Sequence, residues 1–296
     1  MHRDGSAAAI QEGGVRAVVL GVAQDGGLPQ MGCGCDNCRR VRSGEQPGSG
    51  ASSVALVDDR RREFWVLDAG PDFPRQYDQL AAWLGASYRM AGIVVTHAHV
   101  GHYLGLVYLG REVMGTRAIP VVGSPRMMRF LRVNGPFSQL VSVNNIRLDA
   151  QEPNGRRRLS TGLAIELWPV PHRQEFSDTM AVLVRGPHRS LLYLPDIDRW
   201  EAWDRNLLEV VRSVDVALLD GTFFDDGELP NRPRAEIPHP TVRDTAELLA
   251  AVAGDRAHRV YFTHLNHSNR LWDPRFRDDW ERGGFGVSRV GQEIAL

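Results

Sequence analysis

The chain carries no excess charge of either sign: 35 basic residues stand against 36 acids, for a formal net charge of −1. Bulk electrostatics therefore give no reason to expect a nucleic-acid or membrane partner. Long apolar runs are also missing. The opening MHRDGSAAAIQEGGVR has no apolar core of the signal-peptide kind, and nothing downstream approaches the ~20 residues of a membrane-spanning helix. A cytoplasmic protein is expected. Repeats, low-complexity tracts and Pro/Gly/Ser linkers are absent; Gly44 to Ser53 (GEQPGSGASS) is loop-like, but short and set between two strand signals. The expectation is one domain over residues 1–296, with 1–14 as a disordered tail, and a chain 43% hydrophobic is long enough to bury a substantial core. Cysteine is scarce. All three lie in GCGCDNC, at Cys33, Cys35 and Cys38, an odd and crowded set that makes a poor disulfide framework and a good metal clip.

Strand-like runs cover Arg16 to Gly21, Ser53 to Val57, Glu63 to Leu67, Gly92 to Thr96 and Leu163 to Val170. Others are Met180 to Val184, Ser190 to Leu194, Val214 to Leu219 and Arg259 to Thr263. Helical patterns fall at Phe73 to Leu84, Leu104 to Met114, Ser124 to Val133, Arg199 to Val211 and Thr241 to Ala253. Strands and helices alternate up to Leu163, three strands then follow closely, and alternation resumes. An α/β (α+β) four-layer sandwich fits, with two mixed sheets packed face to face between helices. The seven tryptophans are spread along the chain and are assigned to core and loop packing.

Polar residues sit at the strand ends. His97, His172, Asp196, Asp220 and His264 each follow a separate strand-like run, and strand ends converging on one sheet edge place a site on rigid supports. The stretch THAHVGHYLGL adds His99 and His102 to His97, at i, i+2 and i+5 after an apolar run. Imidazole nitrogens and carboxylate oxygens suit zinc, iron or manganese. Two close histidines can face one ion from a tight turn, and His172 in VPVPHR is the natural third ligand.

THAHVGH resembles the T-H-x-H-x-D-H signature of the metallo-β-lactamase superfamily, with Gly101 where the aspartate belongs. The resemblance covers about residues 15 to 290. More narrowly, LGVAQDGGLPQMGCGCDNC, VPHRQEFSDT, LPDID, LDGTF and THLNHSN resemble the pyrroloquinoline quinone biosynthesis protein B family, and are similar to the phosphonate-pathway phosphodiesterase. The resemblance implies an αββα fold, a first metal site of His97, His99 and His172, and a second of His102 and His264 with Asp196 bridging. The missing aspartate would bind the second metal and orient the attacking water. With glycine in its place, the second site is weak or empty, or a neighbouring acid replaces the ligand: Asp178, Asp198, Asp220 or Asp25. For Asp178 and Asp198 the plain alternative is a turn or N-cap residue.

A structural zinc takes four tetrahedral ligands. The three cysteines supply three, and His267 is chosen as the fourth because it follows His264 by three residues and the resembling families pair such a histidine with this cysteine pattern. The clip would staple the loop after the first strand to a loop near the C-terminus. AQDGGLPQ (Ala23 to Gln30) is a glycine-rich turn that lines the site or merely turns the chain; it lacks the Gly-Lys-Ser/Thr of a phosphate-binding loop. Asp220 is a candidate orienting acceptor for a histidine. His239, in IPHP, is a substrate contact or acid, or else a surface-loop residue.

A bound metal lowers the pKa of a water, and the resulting hydroxide attacks an ester, lactone, amide or phosphodiester. Metal-dependent hydrolysis of a small-molecule or peptide-derived substrate is the first expectation, with Asp196, Asp220 and His239 as catalytic residues, one structural zinc, and one or two ions of zinc, iron or manganese at the site. A second is non-haem iron oxidation or hydroxylation in cofactor or natural-product synthesis; a third is a degenerate fold that only binds. A homodimer completes the expected partners.

Overall fold

Strand β1 (Val15–Gly21) sends Ala17 and Val19 to one side and Val18 and Leu20 to the other, and all four are buried. Side chains alternate along a strand, so a run apolar on both faces needs cover on both. In β2 (Ser53–Asp58), Val54 and Leu56 oppose Ala55 and Val57; in β3 (Glu63–Leu67), Trp65 and Leu67 oppose Phe64 and Val66. One set enters a core shared with a second sheet, and the other packs beneath helices. The computed structural model describes residues 14–228, 237–255 and 258–296; the expected tail, apart from Gly14, lies outside them.

The first sheet continues through β4 (Arg89–Val94), β5 (Ile119–Gly123) and β6 (Ile146–Ala150). The second holds β7 (Arg156–Ser160), β8 (Leu163–Val170), β9 (Thr179–Arg185), β10 (Ser190–Leu194), β11 (Val216–Asp220), β12 (Arg259–Thr263) and β13 (Gly286–Val287). β14 (Glu293–Ala295) returns to the first sheet beside β1, giving orders β14-β1-β2-β3-β4-β5-β6 and β13-β12-β11-β10-β9-β8-β7. Both sheets are mixed. β1 to β3 pair antiparallel and β3 to β6 parallel; β7 to β10 pair antiparallel and β10 to β13 parallel. It follows that β1, β3 and β4 point one way in the first sheet, and β8, β10, β11 and β12 share a direction in the second.

Helix α1 (Asp36–Arg42) follows the cysteine loop. α2 (Phe73–Leu84) has proline in its first turn, stops at Gly85 (φ +87°) and buries Phe73, Gln76 and Leu80. α3 (Val100–Tyr103) carries His102, and α4 (Pro125–Val133) is capped by Ser124, whose Oγ accepts from Met127 N at 3.1 Å. α5 (Phe137–Ser142) completes the cover of the first sheet. α6 (Leu207–Arg212), α7 (Val242–Leu248) and α8 (Pro274–Glu281) contribute Val210, Val242 and Phe276 to the cover of the second. The α/β four-layer sandwich read from the sequence is the observed architecture. Among the described residues, no helix is long and apolar enough to cross a membrane.

Three helical expectations are corrected. Leu104 to Met114 is not one helix: α3 runs into a 3-10 turn, Leu104–Leu109, because Gly105 N donates to Ala69 O at 2.8 Å, across the fold, in place of a helical acceptor. Within Arg199 to Val211, a 3-10 turn (Trp200–Ala202) precedes a fresh start at Asn206, whose side chain accepts from Glu209 N. Thr241 caps α7 rather than joining it, and that helix ends at Leu248. The strand expected over Gly92 to Thr96 ends at Val94, since Thr96 turns to bond Asp68. Strands β5, β6, β7, β13 and β14 and helices α1, α5 and α8 were not anticipated; each is short.

Candidate metal centre

His97 follows β4, His172 follows β8, Asp196 follows β10, Asp220 ends β11 and His264 follows β12. The common direction of these strands within each sheet brings their C-terminal ends to one edge of the sandwich. Asp196 lies at the middle. Its Oδ2 is 2.9 Å from His102 Nε2, 3.4 Å from His264 Nε2 and 3.7 Å from His97 Nε2, while its Oδ1 is 3.7 Å from His172 Nε2. His172 Nε2 also stands 3.2 Å from His99 Nδ1. Two nitrogens bound to one tetrahedral zinc at about 2.0–2.1 Å are separated by roughly 3.3–3.4 Å, so this spacing suits a shared ion.

The outer ring nitrogens are tied down. His102 Nδ1 is 2.7 Å from Asp68 Oδ2 and His172 Nδ1 is 2.8 Å from Asp198 Oδ1. Thr96 Oγ1 donates to Asp68, so at 3.0 Å from His97 Nδ1 it can only accept from that ring. Thr222 Oγ1 lies 3.0 Å from His264 Nδ1. The carboxylate contacts and that of Thr96 place the proton of a neutral ring on Nδ1 and leave the Nε2 lone pair facing inward, the tautomer a metal requires. Thr222 fixes the orientation of the His264 ring. His99 is turned the other way, with Nε2 3.2 Å from Glu175 Oε2 and Nδ1 inward.

The donor set fits a cation by a separate test. His97 Nε2, His102 Nε2, His264 Nε2, Asp196 Oδ2 and Asp25 Oδ1 are all buried, and none makes a hydrogen bond. Such orphans are costly unless something polar fills the space between them. The local charges agree. Burial opposes the Asp196 charge, but His264 and His102 hold its pKa well below the ordinary carboxylate value. Burial also opposes a charge on His102, yet the Asp68 and Asp196 carboxylates carry its pKa well above the ordinary imidazole value. His97 goes the other way, driven well down by burial and the neighbouring His102. The pocket calls for positive charge, which a proton on His102 or a divalent ion can supply.

Of the four acids considered as replacements at Gly101, Asp25 alone reaches the pocket beside it. A Cβ built on Gly101 would lie 2.0 Å from Asp25 Oδ1. Asp178 bonds Ser124 Oγ and Asp198 supports His172. Asp220 accepts from Ile197 N and Thr222 N and lies 2.7 Å from His239 Nδ1. His239 is therefore buried in the pocket wall, not in a surface loop, and its ring centroid is 5.4 Å from that of His172. Burial lowers its basicity, but Asp220 outweighs this and raises its pKa. Sequence reasoning missed Asp68, Thr96, Glu175 and Thr222. Asp68 had a visible signal, since it follows β3 as the chosen residues follow theirs.

The cysteines and His267 form a second cluster. Cys33 Sγ and Cys35 Sγ each lie 3.4 Å from His267 Nδ1, near the roughly 3.5 Å expected between ligands of one tetrahedral zinc. Cys38, on the buried side of α1, accepts from Gln30 N at 3.3 Å, and burial pushes its thiol up to about 12. Asn37 Nδ2 donates to His267 O at 3.0 Å and Asn269 O at 3.1 Å, closing the staple between the two loops.

Residues 65–265 match the sequence profile of the Beta-lactamase superfamily domain. The chain is 26% identical over 310 residues to "Coenzyme PQQ synthesis protein B" of Ruegeria pomeroyi, covering 95% of this chain and all of that one. Among solved structures, Zn(2+)-bound PqqB from Methylobacterium extorquens superposes with a TM-score of 0.79 at 21% identity, covering 95% of this chain and 100% of that one. A diphosphatase from the PhnP family gives 0.68 at 20% identity, covering 95% and 97%.

Proposed function

The chain belongs to the beta-lactamase superfamily, and we propose that it is a cytoplasmic, metal-dependent hydrolase acting on an ester, lactone or phosphodiester of a small or peptide-derived molecule. The observation that carries this reading is the inward convergence of buried ligand atoms without hydrogen-bond partners. Bound there, a divalent ion such as zinc supplies an acidified water and a charge that polarises the electrophile. His97, His99 and His172 would hold that ion and leave a position open for substrate. His102 and His264 would hold a second, with Asp196 between the two.

The remaining residues orient, exclude water or carry protons. Asp68, Thr96 and Asp198 hold the proton of the neutral ring on the outer nitrogen, and Thr222 orients His264. His239, its proton held by Asp220, lines the pocket close to His172 and is placed to give a proton to a leaving oxygen. The cysteine clip with His267 would hold a structural zinc.

A second reading has an observation of its own. Similarity to proteins named for coenzyme PQQ synthesis runs through the whole chain rather than the pocket alone. Iron on the same nitrogen and oxygen donors would suit an oxygen-dependent oxidation or hydroxylation.

Elemental analysis of protein purified without added metal, beside Cys33→Ser and His97→Ala variants, tests both. The hydrolase reading expects ions lost with His97 but kept without Cys33. It also expects His97-dependent turnover of bis(p-nitrophenyl) phosphate, p-nitrophenyl acetate or γ-butyrolactone. Iron in the pocket with oxygen uptake and no hydrolysis would favour the second reading. No ion dependent on His97 would reduce the pocket to a binding site.

A further inference from the structure

We infer that Asp25, carried in on the turn after β1, is the fourth protein ligand of the second metal position and makes up for the missing side chain at Gly101. The inference rests on the metal-centre reading above and says which of this chain's residues close it.

Gly101 stands between His99 and His102, at the wall of the pocket. A Cβ there would meet Asp25 Oδ1 at 2.0 Å and Asp25 Cα at 2.7 Å. Asp25, backbone included, therefore occupies the volume that a side chain at 101 would need. Its Oδ1 is buried without a hydrogen bond, 3.3 Å from His102 Nε2 and 3.9 Å from His264 Nε2. Asp196 Oδ2 faces the same two nitrogens at 2.9 and 3.4 Å. The two imidazole nitrogens are thus each approached by two carboxylates at 2.9–3.9 Å, around the roughly 3.3–3.4 Å between ligands of a four-coordinate ion, and Asp25, His102 and His264 lie close enough together to share one. The two carboxylate charges balance a divalent cation.

Backbone pairing fixes the approach. Gln24 N donates to Leu265 O at 2.9 Å and Leu265 N to Val22 O at 2.8 Å, so the residues before Asp25 are zipped to the residue after His264. Gly27 (φ +68°) then closes a turn through its N–H to Gln24 O at 2.8 Å. Asp25 and His264 are presented as one unit.

The test counts ions. Wild-type protein should bind two ions that depend on pocket histidines, besides the ion in the cysteine clip. Asp25→Asn, nearly isosteric, should keep the clip ion and the His97-dependent ion while binding the other on the order of 10–100-fold more weakly. Gly101→Ala should lose the same ion although it removes no ligand, because its Cβ expels the Asp25 carboxylate. Cobalt(II) titration followed by d–d absorption reads both, and retention of the clip ion together with an unchanged circular dichroism spectrum certifies the fold. Full second-ion affinity in Asp25→Asn, or in Gly101→Ala, overturns the inference. A wild-type pocket that binds no histidine-dependent ion overturns the metal-centre reading itself, a different result.

Discussion

Replacing Asp68 by asparagine removes a charge and one acceptor while leaving shape and backbone alone. Asp68 is fully buried at φ +59°, a left-handed conformation that asparagine tolerates as well as aspartate does. Its Oδ1 accepts from Thr96 N at 2.8 Å, while Oδ2 faces His102 Nδ1 at 2.7 Å, Thr96 Oγ1 at 2.9 Å and Tyr193 OH at 3.2 Å. An amide kept in register through Oδ1 turns an NH2 group toward those donors. Two or more hydrogen bonds to a charged acceptor, about 1.5–3 kcal/mol each, are lost. Allowing for rotation of the hydroxyls, urea unfolding of the metal-stripped protein should show a loss of about 3–5 kcal/mol, the scale of breaking a buried pair. His102 has the alternative of moving its proton to Nε2, the atom that faces Asp25 and Asp196, so affinity for the second ion should fall about 10–100-fold. The pH dependence carries a sign. His102 has a raised folded pKa, so its contribution in the stripped protein is complete below the unfolded value of 6.5 and is lost as pH rises through the folded one. Metal competes with that proton, and pocket affinity should rise across the same window. An Asp68→Asn protein within 1 kcal/mol of wild type, with unchanged metal affinity and the same pH slope, would refute the assignment of Asp68 as the group that positions His102.

Three further outcomes follow from other parts of the fold. His239→Ala should retain every ion yet lower kcat by about 10²–10⁴; the raised pKa of His239 means that wild-type activity falls as pH climbs through it, and that limb should vanish from the variant's pH–rate profile. Cys33→Ser should release one ion, measured by elemental analysis, and lower the melting temperature by about 5–10 °C, while the pocket still fills in excess metal. Leu56→Ala, between the sheets, should cost about 2–5 kcal/mol in urea unfolding without altering metal affinity.

What could be read from the sequence was chemistry that announces itself by residue type. Histidines after apolar runs, and three cysteines with a late histidine, are informative because few other roles gather them. The groups that hold those ligands are not of that kind. Thr96, Thr222 and Glu175 are common residues whose value lies in contacts with ring nitrogens, a relation that exists only after folding. Four acids were equally eligible to replace the ligand at Gly101, and only the pairing of Gln24 with Leu265 brings one of them there. The strand list failed at β6 and β7 for a similar reason. They are edge strands of their respective sheets, where the chain crosses from one to the other, and IRLDA and RRRLS carry little apolar pattern to detect. The helix expected from Leu104 failed because a tertiary hydrogen bond took the Gly105 amide, which local periodicity does not record.

The direction of the strands explains how a ligand can change its place in the chain without changing its place in the pocket. In the first sheet β1, β3 and β4 point the same way, and the residues beyond their ends include Asp25, Asp68 and His97. In the second sheet β8, β10, β11 and β12 do the same for His172, Asp196, Asp220 and His264. Every one of these positions opens on the same edge. β2 and β9 run the opposite way, and their C-terminal ends lie across the sandwich, where they cannot contribute. A carboxylate lost from the turn after β4 can therefore be supplied only from a small set of sites, and the turn after β1 is one that already pairs with the strand end bearing His264. Gly101 is then not a defect in the cluster. It is the gap through which the substitute enters, which is why filling it with a single methyl group should cost an ion.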